Sequence, residues 1–119
     1  MSESSVKTAV RDRFAAFNER NWKAFGALIA EDAVIHFPGV PAPMNRDGWV
    51  RLCETMPALQ LTIEQQIAEG DVVMTRWVAR APNPADASKP IVMPGVSIDR
   101  IVDGKVVEHR EFINQTSHP

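Results

Sequence analysis

Residues 15–39, AAFNERNWKAFGALIAEDAVIHFPG, carry the end of one helix, a second short helix, and a first strand that runs into a Pro-Gly turn. Val6, Val10, Phe14 and Phe17 recur at helical spacing and stop at Asn18, and Trp22, Phe25, Leu28 and Ile29 form a second apolar stripe. Each stripe is the pattern of a helix that buries one face. Asn21 is the expected cap between them, because its side-chain oxygen can accept from an otherwise unpaired amide of the next turn. The pattern predicts helices over 5–18 and 21–30, then a short strand over Val34–Phe37 closed by Pro38-Gly39.

Working outward, the three prolines of PGVPAPMN predict an extended loop. Asp47 is the expected cap of a third helix, which carries Trp49, Val50, Leu52, Cys53 and Met56 and stops at Pro57. The period then changes to two: Leu59, Leu61, Ile63 and Ile67 are placed on the buried face of a strand. Gly70-Asp71 predicts a hairpin into Val72–Ala79, and Asn83–Lys89 is a longer loop. A strand over Ile91–Val102 turns at Asp103-Gly104 and returns as Lys105–Asn114, since Asp-Gly between β-rich runs is a strong hairpin signal. Helices first and a meander afterwards predict an α+β fold, with about three N-terminal helices on a curved antiparallel sheet, and residues 1–119 forming one domain.

Composition narrows the functional classes. Apolar residues make up 45% and charged residues 24% of the chain, with no apolar run long enough to span a membrane. The 13 Lys and Arg residues are scattered and net charge is −2, so there is no basic stripe for nucleic acid. The polar start MSESSVKTAV lacks the apolar centre of a signal peptide, and Cys53 stands alone, so a cytoplasmic location is expected. His36, His109 and His118 are far apart in sequence, and neither a Cys pair at metal spacing nor a glycine-rich phosphate loop is present. Neither a metal nor a cofactor is expected. The strand at 91–102 is apolar on both faces, with Val92, Val96, Ile98 and Val102 on one and Ile91, Met93 and Ile101 on the other. That predicts a homodimer, because large apolar patches are uncommon on monomers.

Two segments, AAFNERNWKAFGALIAEDAVI at the front and IDRIVDGKVVEHREF at the back, give the chain its resemblance to the NTF2-like superfamily, which includes ketosteroid isomerases and SnoaL-type polyketide cyclases. Arg100 to Val106 stand where that superfamily carries Arg-x-x-x-Gly-Lys-Ile. The resemblance implies a cone-shaped fold, dimers formed through the outer face of the sheet, and a pocket between sheet and helices. Laid over the isomerase pattern, Arg13 stands at the tyrosine oxyanion donor, Phe37 at the proton-abstracting Asp, and Ser97 near the second acidic donor. Phe37 takes no proton, which argues against steroid isomerisation. Against the cyclase pattern Glu-His-Trp the chain reads Glu108-His109-Arg110, and Asn114 replaces the general acid/base Asp.

What remains is His109, Glu111 and Arg13. His109 and Glu111 are two apart on a strand and share a face; turned inward, they form an acid/base pair, and Arg13 adds an anion-binding charge. In the opposite pleat phase Glu108, Arg110, Phe112 and Asn114 point inward instead, and in a third reading all three candidates are solvent-facing or structural ion pairs. The expected pocket residues are Phe17, Phe37, Met44, Trp49, Met93, Ser97 and Asn114, with Trp77 and Met74 as further wall candidates. Cys53 and His36 read as structural, and Asp99-Arg100 as a charge pair beside the hairpin. The reading is a protein that binds a small apolar ligand and acts as a cofactor-free acid/base enzyme of isomerase, cyclase, dehydratase or hydrolase type. The alternative is a non-catalytic ligand-binding or dimerisation module.

Overall fold

A computed structural model describes residues 2–113. Helices α1 (Glu3–Asn18) and α2 (Trp22–Ala27) precede strand β1 (Ile29–His36), and α3 (Arg46–Thr55) leads into β2 (Gln60–Glu69), β3 (Val72–Ala81), β4 (Ile91–Val102) and β5 (Lys105–Ile113). The helices pack on a curved, open five-stranded sheet of order β1-β5-β4-β3-β2. Among the described residues no helix is long and apolar enough to cross a membrane.

Local chemistry explains most of the boundaries. Ser2, Asn21 and Asn45 each accept a backbone amide three residues on, from Ser5, Ala24 and Gly48, and so cap the three helices. Asn45 thus takes the capping role expected of Asp47. Helix α2 ends three residues earlier than its apolar stripe suggests: the Leu28 carbonyl accepts from the amide of Val106, and Ile29 is fully buried as the first residue of β1. At the other hairpin Asp103 and Gly104 have φ of 52° and 77°, the left-handed pair that a tight turn between twisted strands needs.

The sheet is not a pure antiparallel meander, because β1 pairs with β5 in parallel. Two bulges also reset side-chain direction. The one between Ile63 and Gln65 turns Ile67 outward, where it is 57% exposed, and brings Gln66 inward to bond the Lys7 carbonyl and the Thr75 hydroxyl. The second lies where Arg100 pairs with Glu108 but Ile101 pairs with Val106, which leaves Val107 as the extra residue. Beyond it Val106 and His109 are both buried although they are three apart. Helix α1 buries Val6, Val10, Phe14 and Phe17 against the sheet, with Arg13 among them. Asn18 ties its end to β2 by exchanging two hydrogen bonds with the Leu61 backbone, at 2.8 and 2.7 Å.

Candidate active site

Four charged side chains from three elements form one line beneath the helices. The Arg13 Nη2 donates to Asp99 Oδ2 at 3.0 Å, Asp99 Oδ1 meets His109 Nδ1 at 2.6 Å, and His109 Nε2 meets Glu111 Oε1 at 3.1 Å. Arg13 comes from the buried face of α1, Asp99 from β4, and His109 with Glu111 from β5, where Asp99 and His109 are directly paired across the strands. Arg13, Asp99 and His109 are 4%, 0% and 0% exposed, so these charges are compensated by one another rather than by water. Trp49 stacks on the His109 ring at 4.3 Å, and the Arg13 guanidinium lies 4.9 Å from the Trp49 ring and 5.2 Å from that of Phe14. Electron-rich faces of this kind favour cations at both positions.

The neighbours set the protonation states. Burial alone would raise the Asp99 carboxyl, but Arg13 and His109 beside it, and their hydrogen bonds, hold it below the usual carboxylate range. Burial would likewise disfavour the His109 imidazolium, yet the Asp99 charge and the bonds to Asp99 and Glu111 outweigh it and raise the ring above its ordinary value, against the opposing charge of Arg13. A carboxylate accepts and does not donate, so a carboxylate on each ring nitrogen calls for an N–H on both.

A cavity of about 360 Å³ opens between this line and the helices, at the small end of the usual ligand-pocket range of roughly 300–1,000 Å³. Its walls are apolar: Phe14, Phe17, Phe37, Trp49 and Met56 on the helical side, with Leu61, Trp77, Ala79 and Met93 on the sheet side. Polar groups reach it from Arg13, Ser97 and Glu111, whereas Asp99 and His109 stay behind the wall. The Arg13 Nε is buried with no partner. Asp99 and Glu111 engage different nitrogens of His109 instead of converging, and among the described residues no three such groups surround a metal position.

The sequence-derived candidates distribute unevenly over this geometry. The structure brings Arg13, His109 and Glu111 together, and Phe17, Phe37, Trp49, Met93 and Ser97 line the cavity. Met44 does not: it exchanges two backbone hydrogen bonds with Ile35 at 2.9 Å and packs against the core outside the cavity. Met74, offered as a wall, is 44% exposed on the outer face of the sheet, as is Phe112 of the alternative inward row at 55%. Asn114 lies outside the described residues. Asp99 is not the surface partner of Arg100; Arg100 bonds Asp71 at 3.0 Å, and Asp99 sits at the centre of the buried line. Cys53 borders the cavity, but burial, and then Glu111, push its thiol up to about 12, so it is no thiolate nucleophile.

The SnoaL-like domain family model matches residues 10–109, an interval that includes Arg13, Asp99 and His109. The chain belongs to the SnoaL-like family. Among solved structures, this SnoaL-like chain is similar to wild-type IdmH of Streptomyces antibioticus, a candidate polyketide cyclase, with 27% identity and a TM-score of 0.86 over 94% of each chain. AclR of Streptomyces galilaeus, a candidate hydroxylase, is 26% identical at a TM-score of 0.80, covering 97% of this chain and 78% of that one. An LEH-like epoxide hydrolase of M. tuberculosis shares the fold at 15% identity, with a TM-score of 0.79 over 94% and 84% of the two chains. No curated protein matches the SnoaL-like sequence significantly.

Proposed function

We propose that this SnoaL-like protein is a cofactor-free acid/base enzyme acting on a small, neutral, apolar carbonyl compound, with Glu111 as the proton carrier. The observation that carries the reading is that, among the described residues, one carboxylate, Glu111, reaches a largely apolar cavity while a buried histidine holds it from behind. In the step proposed, a C–H bond next to the carbonyl breaks, its proton passes to a Glu111 oxygen, and the electron pair moves to the carbonyl oxygen as an enolate. Charge favours this order. Once Glu111 is protonated, Arg13, Asp99 and His109 leave one net positive charge beside the new anion, in a site with little water to weaken their attraction. His109 and Asp99 are positioning residues here, since neither borders the cavity. The earlier assignment of His109 as a second proton carrier is therefore replaced.

The molecule is further read as a single domain that pairs through the outer face of its sheet, where Met74, Val92 and Phe112 are exposed. The test of the chemistry is exchange of the methyl protons of 2-acetylnaphthalene in deuterated buffer, followed by NMR. The protein should accelerate the exchange, and Glu111→Gln should slow it by about 10²-fold or more, the usual worth of a placed general base. Equal exchange by the two proteins would leave the binding-module reading in its place.

A further inference from the structure

Ser97 stands directly opposite Glu111 across β4 and β5, so their β-carbons are about 4.5–5.5 Å apart on the cavity side of the sheet. The Trp77 Nε1 donates to Ser97 Oγ at 2.8 Å. An indole N–H only donates, so the Ser97 oxygen is the acceptor in that bond and its own hydrogen is left over. Among the described residues no acceptor takes that hydrogen, although Ser97 is 1% exposed and borders the cavity. The arrangement is built into the strand. Trp77 pairs with Gly95, and a Cβ on Gly95 would run into the indole ring, so only a glycine lets Trp77 lie across β4 and reach Ser97.

We infer that the Ser97 hydroxyl is the donor that receives the ligand's carbonyl oxygen, with Trp77 fixing its direction and Glu111 beside it facing the adjacent carbon. The inference rests on the reading of the cavity as a ligand site and adds a residue to it. Donation from Trp77 into Ser97 polarises the hydroxyl and makes it a better donor to an oxygen that gains charge. The apolar body of the ligand then extends along β4 past Met93 toward Ile91, a span of six residues or about 20 Å at strand rise. The ligand class is an elongated apolar ketone or aldehyde that enters oxygen first.

The test compares 2-acetylnaphthalene with 2-ethylnaphthalene, which lacks the oxygen. In the wild-type protein the carbonyl stretch of the bound ketone should lie below its value in hexane, read by difference infrared spectroscopy. Ser97→Ala should return it toward the hexane value and weaken ketone binding about threefold to tenfold, the range of one neutral hydrogen bond, with 2-ethylnaphthalene unaffected. Trp77→Phe should shrink the infrared shift with Ser97 still present, which gives a second reading if Ser97→Ala folds poorly. Glu111→Gln should retain the shift even though it blocks proton exchange. A shift that persists in Ser97→Ala, or equal losses for the two ligands, would overturn the inference, as would failure of the wild-type protein to bind the ketone. A retained shift with no catalysed exchange would sink the acid/base reading and leave Ser97 as the oxygen donor.

Discussion

Arg13, Asp99 and His109 carry a strong energetic constraint, because each is a buried charge compensated by its neighbours in the line, Asp99 by Arg13 and His109, and His109 by Asp99 and Glu111. Removing one partner of such a set typically costs about 3–5 kcal/mol, since it strands the remaining charge. Asp99→Ala, which strands both Arg13 and His109, should therefore lose about that much stability in urea unfolding. The pH dependence follows from the two directions of shift. The raised His109 contributes stability that is complete below its ordinary value of 6.5 and disappears as pH rises through the higher folded-state value. The lowered Asp99 contributes stability present above 3.8 that is lost as pH falls through its lower folded-state value. Urea unfolding across pH should show both limbs, and His109→Gln should remove the alkaline one. Of the four residues in the line, Arg13, His109 and Glu111 were singled out from the sequence, the last two by their spacing of two on a strand, whereas Asp99 was hidden by an adjacent arginine that suggested a surface pair.

The reason is found at the level of the strand. Continuing the hairpin register from Val102–Lys105 without interruption would place Asp99 opposite Glu108, two like charges that repel in a cross-strand pair. The bulge at Val107 moves the register by one, so that Arg100 faces Glu108 and Asp99 faces His109. Counting by twos along β5 ignores this, which is why either pleat phase looked admissible; pairing charges across the hairpin would have exposed both the bulge and Asp99. The bulge in β2 misled in the same manner at Ile67. Leu28 and Ile29 fit a helix or a strand equally well, and only the hydrogen bond from Val106 decides between them. Glycine at position 95 carries a further consequence. Gly95→Ala should push Trp77 off the strand, destabilise the fold by about 1–3 kcal/mol, and shift the tryptophan emission that reports the cavity wall.

For the whole molecule, the helix pair, the third helix and the two hairpins were all readable from periodicity and turn residues, and they suffice for the α+β layering. The parallel partnership of β1 and β5 was not, because it joins the first and last strands of the chain and no local signal records it. The outer face of the sheet carries exposed Met74, Val92 and Phe112 around half-buried Val96 and Ile98. A second copy covering that face should make the protein sediment as a dimer at micromolar concentration, and Val96→Glu should shift it to monomer by burying an unpaired charge. A wild-type monomer under those conditions would contradict the proposed assembly. The cavity itself is separate from that face, so loss of the dimer and loss of ligand binding should be separable in the same variant.

The account depends most on His109 being an imidazolium that bridges Asp99 and Glu111 behind the cavity wall. Nitrogen NMR of histidine-labelled protein reads this directly, because the two ring nitrogens give different shifts in the charged ring and in each neutral tautomer. With His109 assigned by comparison with His109→Gln, both of its nitrogens should be protonated at neutral pH, and they should stay so as pH rises beyond the ordinary histidine range. A His109 ring that is a single neutral tautomer at neutral pH would contradict the account.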